Sequence, residues 1–168
     1  PVLIWAIGLA LPQQGEITNA KGQVVANSLL VQTNEKIQAA PAWFHARPSA
    51  ADWNASGSTA SNLGPNSPDL LKSIKENRAA VATASGVGPA LVPGDAITSS
   101  GSGLDPDISV MYAAIQVNRV AKARNLEPAK VSELVRQNTS TGVLAFFGQP
   151  SVNVTSLNVA LADLAAAK

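Results

Sequence analysis

The spacing of apolar residues predicts four helices after residue 66. The first has Ser67 as its N-cap and ends at Gly86, and the second is capped by Ser109 and ends at Asn125. In all four, apolar side chains recur three or four positions apart and so share one face. The third helix starts at Pro128, and the fourth is capped by Asn153. The apolar positions are Leu70, Leu71, Ile74 and Val81 in the first helix and Ile108, Met111, Tyr112, Ile115, Val120 and Ala123 in the second. They are Val131, Leu134 and Val135 in the third helix and Val154, Leu157, Leu161 and Leu164 in the fourth.

Shorter apolar stretches predict strands, and polar stretches predict loops between them. Strands are expected at residues 24–31 after a turn at Gly22, at residues 92–98, and at residues 143–147. Residues 49–66 are rich in Ser, Asn and Gly, which predicts one long loop. Because helices and strands are mixed without regular alternation, the predicted fold class is α+β, as a single mixed domain.

The N-terminal stretch differs from the rest of the chain. Residues 1–12 carry no charge and are almost entirely apolar, with Trp5 among them and a proline at each end. A membrane-spanning helix needs about 20 apolar residues, and this run is shorter. From the residues alone, it can be the end of a membrane anchor, a buried segment, or the end of a signal sequence.

The amino-acid composition argues against several classes of function. The 168 residues carry a net charge of +1, and charged residues make up only 14% of them. The basic side chains are scattered, with Arg119, Lys122 and Arg124 as the densest group, which argues against nucleic acid as a partner. Because the chain has no cysteine, a disulfide, a zinc thiolate site and a thiol nucleophile are all excluded.

Candidate chemistry is sparse. His45 is the single histidine, and the alternative of a serine hydrolase would have to combine it with Ser100 or Ser102. The glycine- and serine-rich turn at residues 99–105 can offer backbone N–H groups to an anion, but it lacks the Gly-Lys-Ser/Thr ending of a phosphate loop. The acidic residues show no metal-ligand spacing. A ligand-binding module attached to a membrane stays open as a second alternative.

An ordered series of motifs is more specific than any of these features. Taken together, the series resembles the C subunits of bacterial Kdp-type, ATP-driven potassium pumps over nearly the whole chain. The match is weakest at residues 13–40, where the family's Asn-Gly-Ser segment is replaced by Asn19-Ala20-Lys21. The matching segments are Phe44-His-Ala-Arg-Pro-Ser-Ala50, Ser61-Asn-Leu-Gly-Pro65, Thr98-Ser-Ser-Gly-Ser-Gly-Leu-Asp-Pro106, Gln116-Val117, Arg119-Val-Ala-Lys-Ala-Arg124, Gly148-Gln-Pro150, Val152-Asn153, Leu157-Asn158 and Ala160-Leu161.

The resemblance implies an architecture and a set of partners. Residues 1–12 would form the C-terminal part of a single transmembrane anchor helix, and residues 13–168 a soluble α+β domain outside the cytoplasm. The chain would lie in the inner membrane. Its partners would be a channel-like potassium-binding subunit, a P-type ATPase subunit and a small membrane peptide, with no nucleic acid.

The resemblance also implies a role and its residues. The subunit would be non-catalytic, needed for assembly, and a catalytic chaperone that raises the ATP affinity of the ATPase subunit. The alternative is an extracytoplasmic cap at the potassium entrance, without nucleotide contact. No metal and no tightly bound cofactor are implied, and ATP would be met only through the ATPase subunit. Nucleotide contacts would fall on Gln137, Thr139, Ser140, Thr141 and Gly142, and interface or loop-ordering roles on Phe44, Arg47, Asn62, Arg119, Arg124, Gln149 and Asn153.

Overall fold

The fold is α+β, as predicted from the mixed order of helices and strands. The structure is a computed structural model that describes Val2 and residues 15–31, 35–141 and 148–166. Within these ranges the chain forms short strands and helices of unequal length. They are β1 (Glu16–Thr18), β2 (Val24–Asn27), α1 (Glu35–Ala39), α2 (Pro68–Ser85), β3 (Asp107–Ser109), α3 (Val110–Arg124), α4 (Pro128–Gln137), β4 (Thr139–Ser140), β5 (Ser151–Asn153) and α5 (Val154–Ala166).

The predicted helix ends are confirmed by their capping bonds. The side-chain oxygens of Ser67, Ser109 and Asn153 each accept a hydrogen bond from the backbone N–H three residues further on, at 3.4, 3.0 and 3.0 Å. At the C-terminal ends of α2 and α3, Gly86 and Asn125 adopt the left-handed conformation, with φ of 66° and 54°. Helix ends were predictable because capping depends on a few neighbouring residues.

Two small antiparallel sheets accompany the helices. β1 and β2 form a hairpin, and β3, β5 and β4 form a second sheet with β5 in the middle. In that sheet, Val152 lies opposite both Ile108 and Thr139. The strand predicted at 24–31 ends at Asn27, and neither β1 nor the short helix α1 was predicted.

The prediction of a strand at residues 92–98 was wrong. This region instead contains two short 3₁₀ turns, Pro89–Leu91 and Gly94–Ala96. Prolines at 89 and 93 fix φ near the value that such turns need and supply no N–H for a ladder. Val92 and Ile97 are nevertheless buried, because they reach the core from the turns. The strand predicted at 143–147 lies outside the described residues.

The core lies between α3, α4, α5 and the three-stranded sheet. Its largest fully buried side chains include Phe44, Leu157 and Leu161. Three residues expected on inward helix faces are exposed instead: Leu71 by 54%, Met111 by 61%, and Ala123. Among the helices that the structure describes, none combines the length and hydropathy needed to cross a membrane.

Candidate functional site

Residues 40–48, called the 40–48 segment below, pass through the core without forming a helix or a strand. Phe44 is fully buried in this segment, and Ala46 is nearly so. Buried backbone N–H and C=O groups need hydrogen-bond partners, and none of the strands that the structure describes pairs with this segment. Side chains do so instead: Gln38, for example, accepts a hydrogen bond from the Ala46 N–H at 3.0 Å.

Two buried amide side chains take the place of a neighbouring strand. Asn158 of α5 accepts from the Phe44 N–H and donates to the Phe44 carbonyl, both at 2.9 Å. Gln116 of α3 treats His45 in the same way, accepting from its N–H at 2.7 Å and donating to its carbonyl at 3.1 Å. Both amides are almost completely buried. Each therefore satisfies one donor and one acceptor that burial would otherwise leave unpaired.

Arg119 of α3 binds the beginning of the same segment. Its Nη2 donates to Gln116 Oε1 at 2.7 Å. Among the described residues no carboxylate forms an ion pair with Arg119, so carbonyl dipoles balance its charge. Burial lowers the pKa of Arg119, but a guanidinium remains protonated in proteins. Its Nη1 lies within hydrogen-bonding distance of three backbone carbonyls, those of Ala40 (3.4 Å), Pro41 (2.8 Å) and Trp43 (3.0 Å).

Arg124, five residues further along α3, holds the next part of the segment. Its Nε donates to the Ala42 carbonyl at 2.6 Å. Its guanidinium carbon lies 4.0 Å from the centroid of the Trp43 ring, which is a cation–π contact. The two arginines of one helix therefore fix consecutive carbonyls of an irregular segment and one aromatic side chain. Both residues were named as candidates from the sequence.

His45 is engaged in structure and is not free for catalysis. Burial, and then the charge of Arg119, lowers the pKa of His45 to about 4, although the bond to Ala40 acts the other way. The ring is therefore neutral at pH 7. Its Nε2 lies 2.9 Å from the Ala40 carbonyl, which can only accept, so we assign the proton to Nε2. Arg119 Nη1 lies 3.3 Å from the same nitrogen. Within the described part of the chain, neither Ser100 nor Ser102 bonds the ring, so the serine–histidine pair that a hydrolase would need is not formed.

A second set of contacts joins the end of the 40–48 segment to the turn at residues 99–105. Arg47 forms an ion pair with Asp105 at 3.3 Å and donates to the Ser99 carbonyl at 3.3 Å. Gly103 allows the turn to lie close to the long loop. Its φ is +71°, and a Cβ at this position would lie only 2.9 Å from the Thr59 carbonyl oxygen. These contacts order two glycine- and serine-rich regions against each other.

Three backbone donors of the turn at residues 99–105 are already bonded within the protein. The Ser100 N–H donates to the Pro48 carbonyl at 3.1 Å, and the Gly103 N–H donates to the Ser100 carbonyl at 3.3 Å. The Leu104 N–H donates to Ser102 Oγ at 3.1 Å. These three N–H groups are therefore not available to an anion.

The remaining interface candidates are spread over the molecule. Asn62 is exposed in the long loop, with a φ of 52°, and Gln149 is exposed before β5. Asn153 caps α5 and also donates to the Ser28 carbonyl at 2.7 Å. The structure therefore brings Phe44, Arg119 and Arg124 together and leaves these three residues elsewhere.

The nucleotide candidates lie at the C-terminal end of α4. The Gln137 side chain donates to Glu133 Oε1 at 2.9 Å, and Thr139 Oγ1 donates to the Val135 carbonyl at 2.8 Å. Ser140 belongs to β4, and Thr141 is exposed. Gly142 lies outside the described residues.

An open groove of about 500 Å³ lies beside Thr139 and Thr141, between α3 and α4. Its walls are mainly apolar, with Val110, Val117 and Val135 among them. Arg136 at its edge forms an ion pair with exposed Glu133 at 2.6 Å. The groove therefore brings together two of the predicted nucleotide contacts, next to a cation that already has a carboxylate partner.

Sequence reasoning did not assign a role to Gln116, Asn158 or Gln38, although the first two lie within the recognised motifs. A signal was present: Gln116 and Asn158 are uncharged polar residues at inward positions of otherwise apolar helix faces. A buried amide in such a position needs partners, which predicts an irregular segment packed against that face.

The fold and the site define the class of protein: a mixed α+β domain whose half-buried arginines and buried amides order its own irregular segments. The family model described as "K+-transporting ATPase, c chain" (KdpC) matches residues 1–163. The chain is 45% identical to the potassium-transporting ATPase KdpC subunit of Kineococcus radiotolerans, over 98% of this chain and 84% of the relative. Identity is 41% to the subunit of the same name from Ralstonia nicotianae (98% and 81%) and 41% to that from Gloeobacter violaceus (91% and 79%).

The chain belongs to the KdpC family, the accessory c chain of K+-transporting ATPases. This confirms the resemblance that the ordered motifs indicated.

Proposed function

We propose that this chain is a non-catalytic subunit needed to assemble a membrane-bound, ATP-driven potassium pump. Its partners are a channel-like potassium-binding subunit, a P-type ATPase subunit and a small membrane peptide. A single N-terminal helix, to which residues 1–12 contribute the C-terminal part, anchors it in the inner membrane. The domain that follows lies outside the cytoplasm. The names of the relatives, which are subunits of potassium-transporting ATPases, support membership of such a pump.

The observation that carries the proposal is the use of the buried polar side chains. The side-chain amides of Asn158 and Gln116 form hydrogen bonds with the backbone N–H and carbonyl groups of Phe44 and His45. Arg119 Nη1 lies within hydrogen-bonding distance of three further backbone carbonyls. A catalytic site needs an acid, base or nucleophile whose reactive atom is open to substrate, and this cluster is built to order a segment. Ordered segments of this kind support the surfaces that contact partners.

The geometry around the predicted nucleotide contacts argues against direct contact with nucleotide, which leaves the extracytoplasmic cap as the preferred role. The residues proposed to contact ATP follow the C-terminus of α4, where the helix dipole is negative and phosphate is disfavoured. The nearby cation, Arg136, is paired with Glu133. The groove beside Thr139 and Thr141 is the observation that keeps the chaperone role as a second candidate.

Assembly is tested with two arginine variants of the full-length subunit, expressed with the other pump subunits. We expect Arg119→Ala and Arg47→Ala each to reduce the amount of this subunit that co-purifies with a tagged ATPase subunit, by about tenfold and threefold. Arg136→Ala is the matched control, because that arginine is exposed and bonded only within α4. Full retention of both variants after a salt wash, with intact folding by circular dichroism, would contradict the proposal.

The chaperone role is tested by removing two hydroxyls from the groove. Val is nearly isosteric with Thr, so Thr139→Val and Thr141→Val together keep the shape of the groove but remove its hydrogen-bonding groups. We expect the KM for ATP of the assembled pump to stay within twofold of the unmodified value. Thr83→Val, an exposed change on α2, is the control. A tenfold rise in KM confined to the groove variant would establish nucleotide contact instead.

A further inference from the structure

Two adjoining depressions lie between the C-terminal end of α2 and helix α3. The inner one has a volume of about 140 Å³ and the outer one a volume of about 620 Å³. Ala84 and Ser85 of α2 and Arg119 of α3 line both of them, so the two depressions form one space. We call this space the α2–α3 cleft.

Two buried hydroxyl groups in the inner part of the cleft lack a hydrogen-bond partner within the described part of the chain. They belong to Tyr112, which is 3% exposed, and to Ser85, which is 9% exposed. A buried hydroxyl normally has a partner. Burial raises the pKa of Tyr112 to about 12, although the charge of Arg119 acts the other way, so this hydroxyl is a donor at pH 7. Both hydroxyls are therefore available to a group that enters the cleft.

The cleft has a positive charge that the described protein does not balance. Arg119 lines both parts and Lys122 lines the outer part, whereas no Asp or Glu is among the described lining residues. None of the ion pairs between described residues involves either cation. Because a half-buried cation interacts more strongly with an opposite charge than an exposed one does, the cleft is complementary to an anion that also accepts hydrogen bonds.

The end of α2 favours a peptide over a free anion as the occupant. The carbonyls of Ala84 and Ser85 lie in the last turn of this helix and accept no hydrogen bond from the described residues. Such carbonyls carry partial negative charge, which disfavours phosphate but can accept from an N–H group. A peptide with an acidic residue supplies both groups that the cleft needs, because its side chain provides the carboxylate and its backbone provides N–H donors.

We propose that the α2–α3 cleft binds an acidic side chain from an extracytoplasmic segment of another pump subunit. The carboxylate lies in the inner part, beside Arg119 and the hydroxyls of Tyr112 and Ser85, and Lys122 attracts it at the rim. This inference rests on the assembly role given under the proposed function, and it adds the binding surface and the chemistry of the partner. Arg119 then has two tasks, because it orders the 40–48 segment and attracts the partner.

The direct test is zero-length cross-linking of the assembled, full-length pump. A carbodiimide joins a lysine amine to a carboxylate that touches it, and the reagent takes up the water that is lost. We expect mass spectrometry of the digested complex to find an amide between Lys122 and an Asp or Glu of another subunit. Lys130, which is exposed on α4 and outside the cleft, is the matched control and should give no such product above background.

Three other results of the cross-linking would overturn the proposal. A Lys122 product confined to this chain's own sequence would assign the cleft to its own acidic residues or to a second copy. No product at Lys122 would leave only water or a free anion as the occupant. Equal products at Lys122 and Lys130 would mean that the cleft confers no selectivity.

Two substitutions in the full-length subunit measure how much the cleft contributes to assembly. Lys122→Glu should lower the amount that co-purifies with a tagged ATPase subunit by about tenfold, because a carboxylate then meets a like charge. Tyr112→Phe keeps the ring but removes the free hydroxyl, and should lower it by about threefold. Lys130→Glu is the control for the charge change. Circular dichroism should show intact folding in all three variants, since Lys122 and Lys130 are exposed and the Tyr112 hydroxyl has no partner in the fold.

These variants separate the cleft from the assembly role itself. If Lys122→Glu and Tyr112→Phe co-purify in full while Arg119→Ala does not, the cleft proposal is refuted and the assembly role stands. If Arg119→Ala and Arg47→Ala are also retained in full, the assembly role is refuted as well.

Discussion

The 40–48 segment and the residues that follow the β1–β2 hairpin are both held by polar side chains of α5 or its N-cap, but in opposite ways. In the 40–48 segment, Asn158 bonds both backbone groups of Phe44, whose side chain points into the core. At the hairpin, Asn153 and Thr155 bond only backbone carbonyls, and the neighbouring leucines face outward. The 40–48 segment is therefore part of the core, whereas the residues at the hairpin are held on the surface.

This difference separates two kinds of mutational effect. Changes around the 40–48 segment should lower the free energy of unfolding, because they leave buried polar groups without partners. Changes at the exposed apolar residues of the hairpin should leave folding almost untouched. The predictions below test this contrast from the largest expected loss of stability to the smallest.

The largest effect is expected for Asn158→Leu. The substitution keeps a side chain of similar size but leaves the N–H and the carbonyl of Phe44 unpaired in the core, at a cost of about 4 kcal/mol in the free energy of unfolding. Urea denaturation followed by circular dichroism measures it. Asn118→Leu, an exposed change on α3, is the control and should cost less than about 0.5 kcal/mol. Equal losses in the two variants would refute the role given to Asn158.

Arg119→Ala should lower the free energy of unfolding by about 3 kcal/mol, because hydrogen bonds from a charged donor to several carbonyls are lost together. Arg119→Lys keeps the charge but not the planar fork, so it should recover less than half of that loss. The same denaturation experiment applies. Arg136→Ala removes an exposed arginine that is bonded only within its own helix, and little change is expected there. A fully stable Arg119→Ala would mean that the 40–48 segment is held without this cation.

His45 should make stability depend on pH. Its folded pKa of about 4 lies below the ordinary value of 6.5, so the unfolded chain binds the proton more readily between these values. The stability is complete above pH 6.5 and is lost as the pH falls toward 4, which amounts to about 2 kcal/mol between pH 7 and pH 5. Urea midpoints measured at both pH values report the loss.

His45→Gln should flatten this dependence while its amide keeps a donor for the Ala40 carbonyl. Asp107 does not explain the same slope: burial raises its pKa, so its contribution is present at low pH and declines as the pH rises. An unchanged slope in the His45→Gln variant would show that another group is responsible.

The smallest effect on folding is expected at the hairpin. Leu29→Ser should change the free energy of unfolding by less than about 0.5 kcal/mol, because a side chain that is 62% exposed contributes little to the core. Leu157→Ser, a change at a fully buried position of α5, is the contrasting variant and should cost several kcal/mol. A large loss for Leu29→Ser would show that the hairpin is part of the core after all.

Most of the helical framework could be predicted from the sequence because its signals are local. Ser67, Ser109 and Asn153 cap helices, and Gly86 and Asn125 end them. Each such boundary depends on residues within one turn. The strand at 92–98 was predicted wrongly because its apolar residues are buried from turns, and burial alone does not distinguish a strand from a turn.

The candidate site was predicted in part. Arg119 and Arg124 were named, but their acceptors were not, because the carbonyls of Ala40 and Pro41 lie far away in sequence and carry no signature. The pairing of Asn158 with Phe44 spans a separation of 114 residues. Such contacts exist only once α3 and α5 are packed, so no local pattern specifies them.

The central claim is that the domain supports pump assembly from outside the cytoplasm and does not contact nucleotide. The most direct test uses Thr141→Cys in the full-length subunit, since this position is exposed and is one of the proposed nucleotide contacts. Intact cells that express the whole pump are treated with a membrane-impermeant thiol reagent, and lysed cells serve as the reference. The account predicts labelling of intact cells to the same extent as lysed cells. Protection in intact cells, with labelling only after lysis, would place the domain beside the ATPase subunit's cytoplasmic nucleotide site and contradict the account.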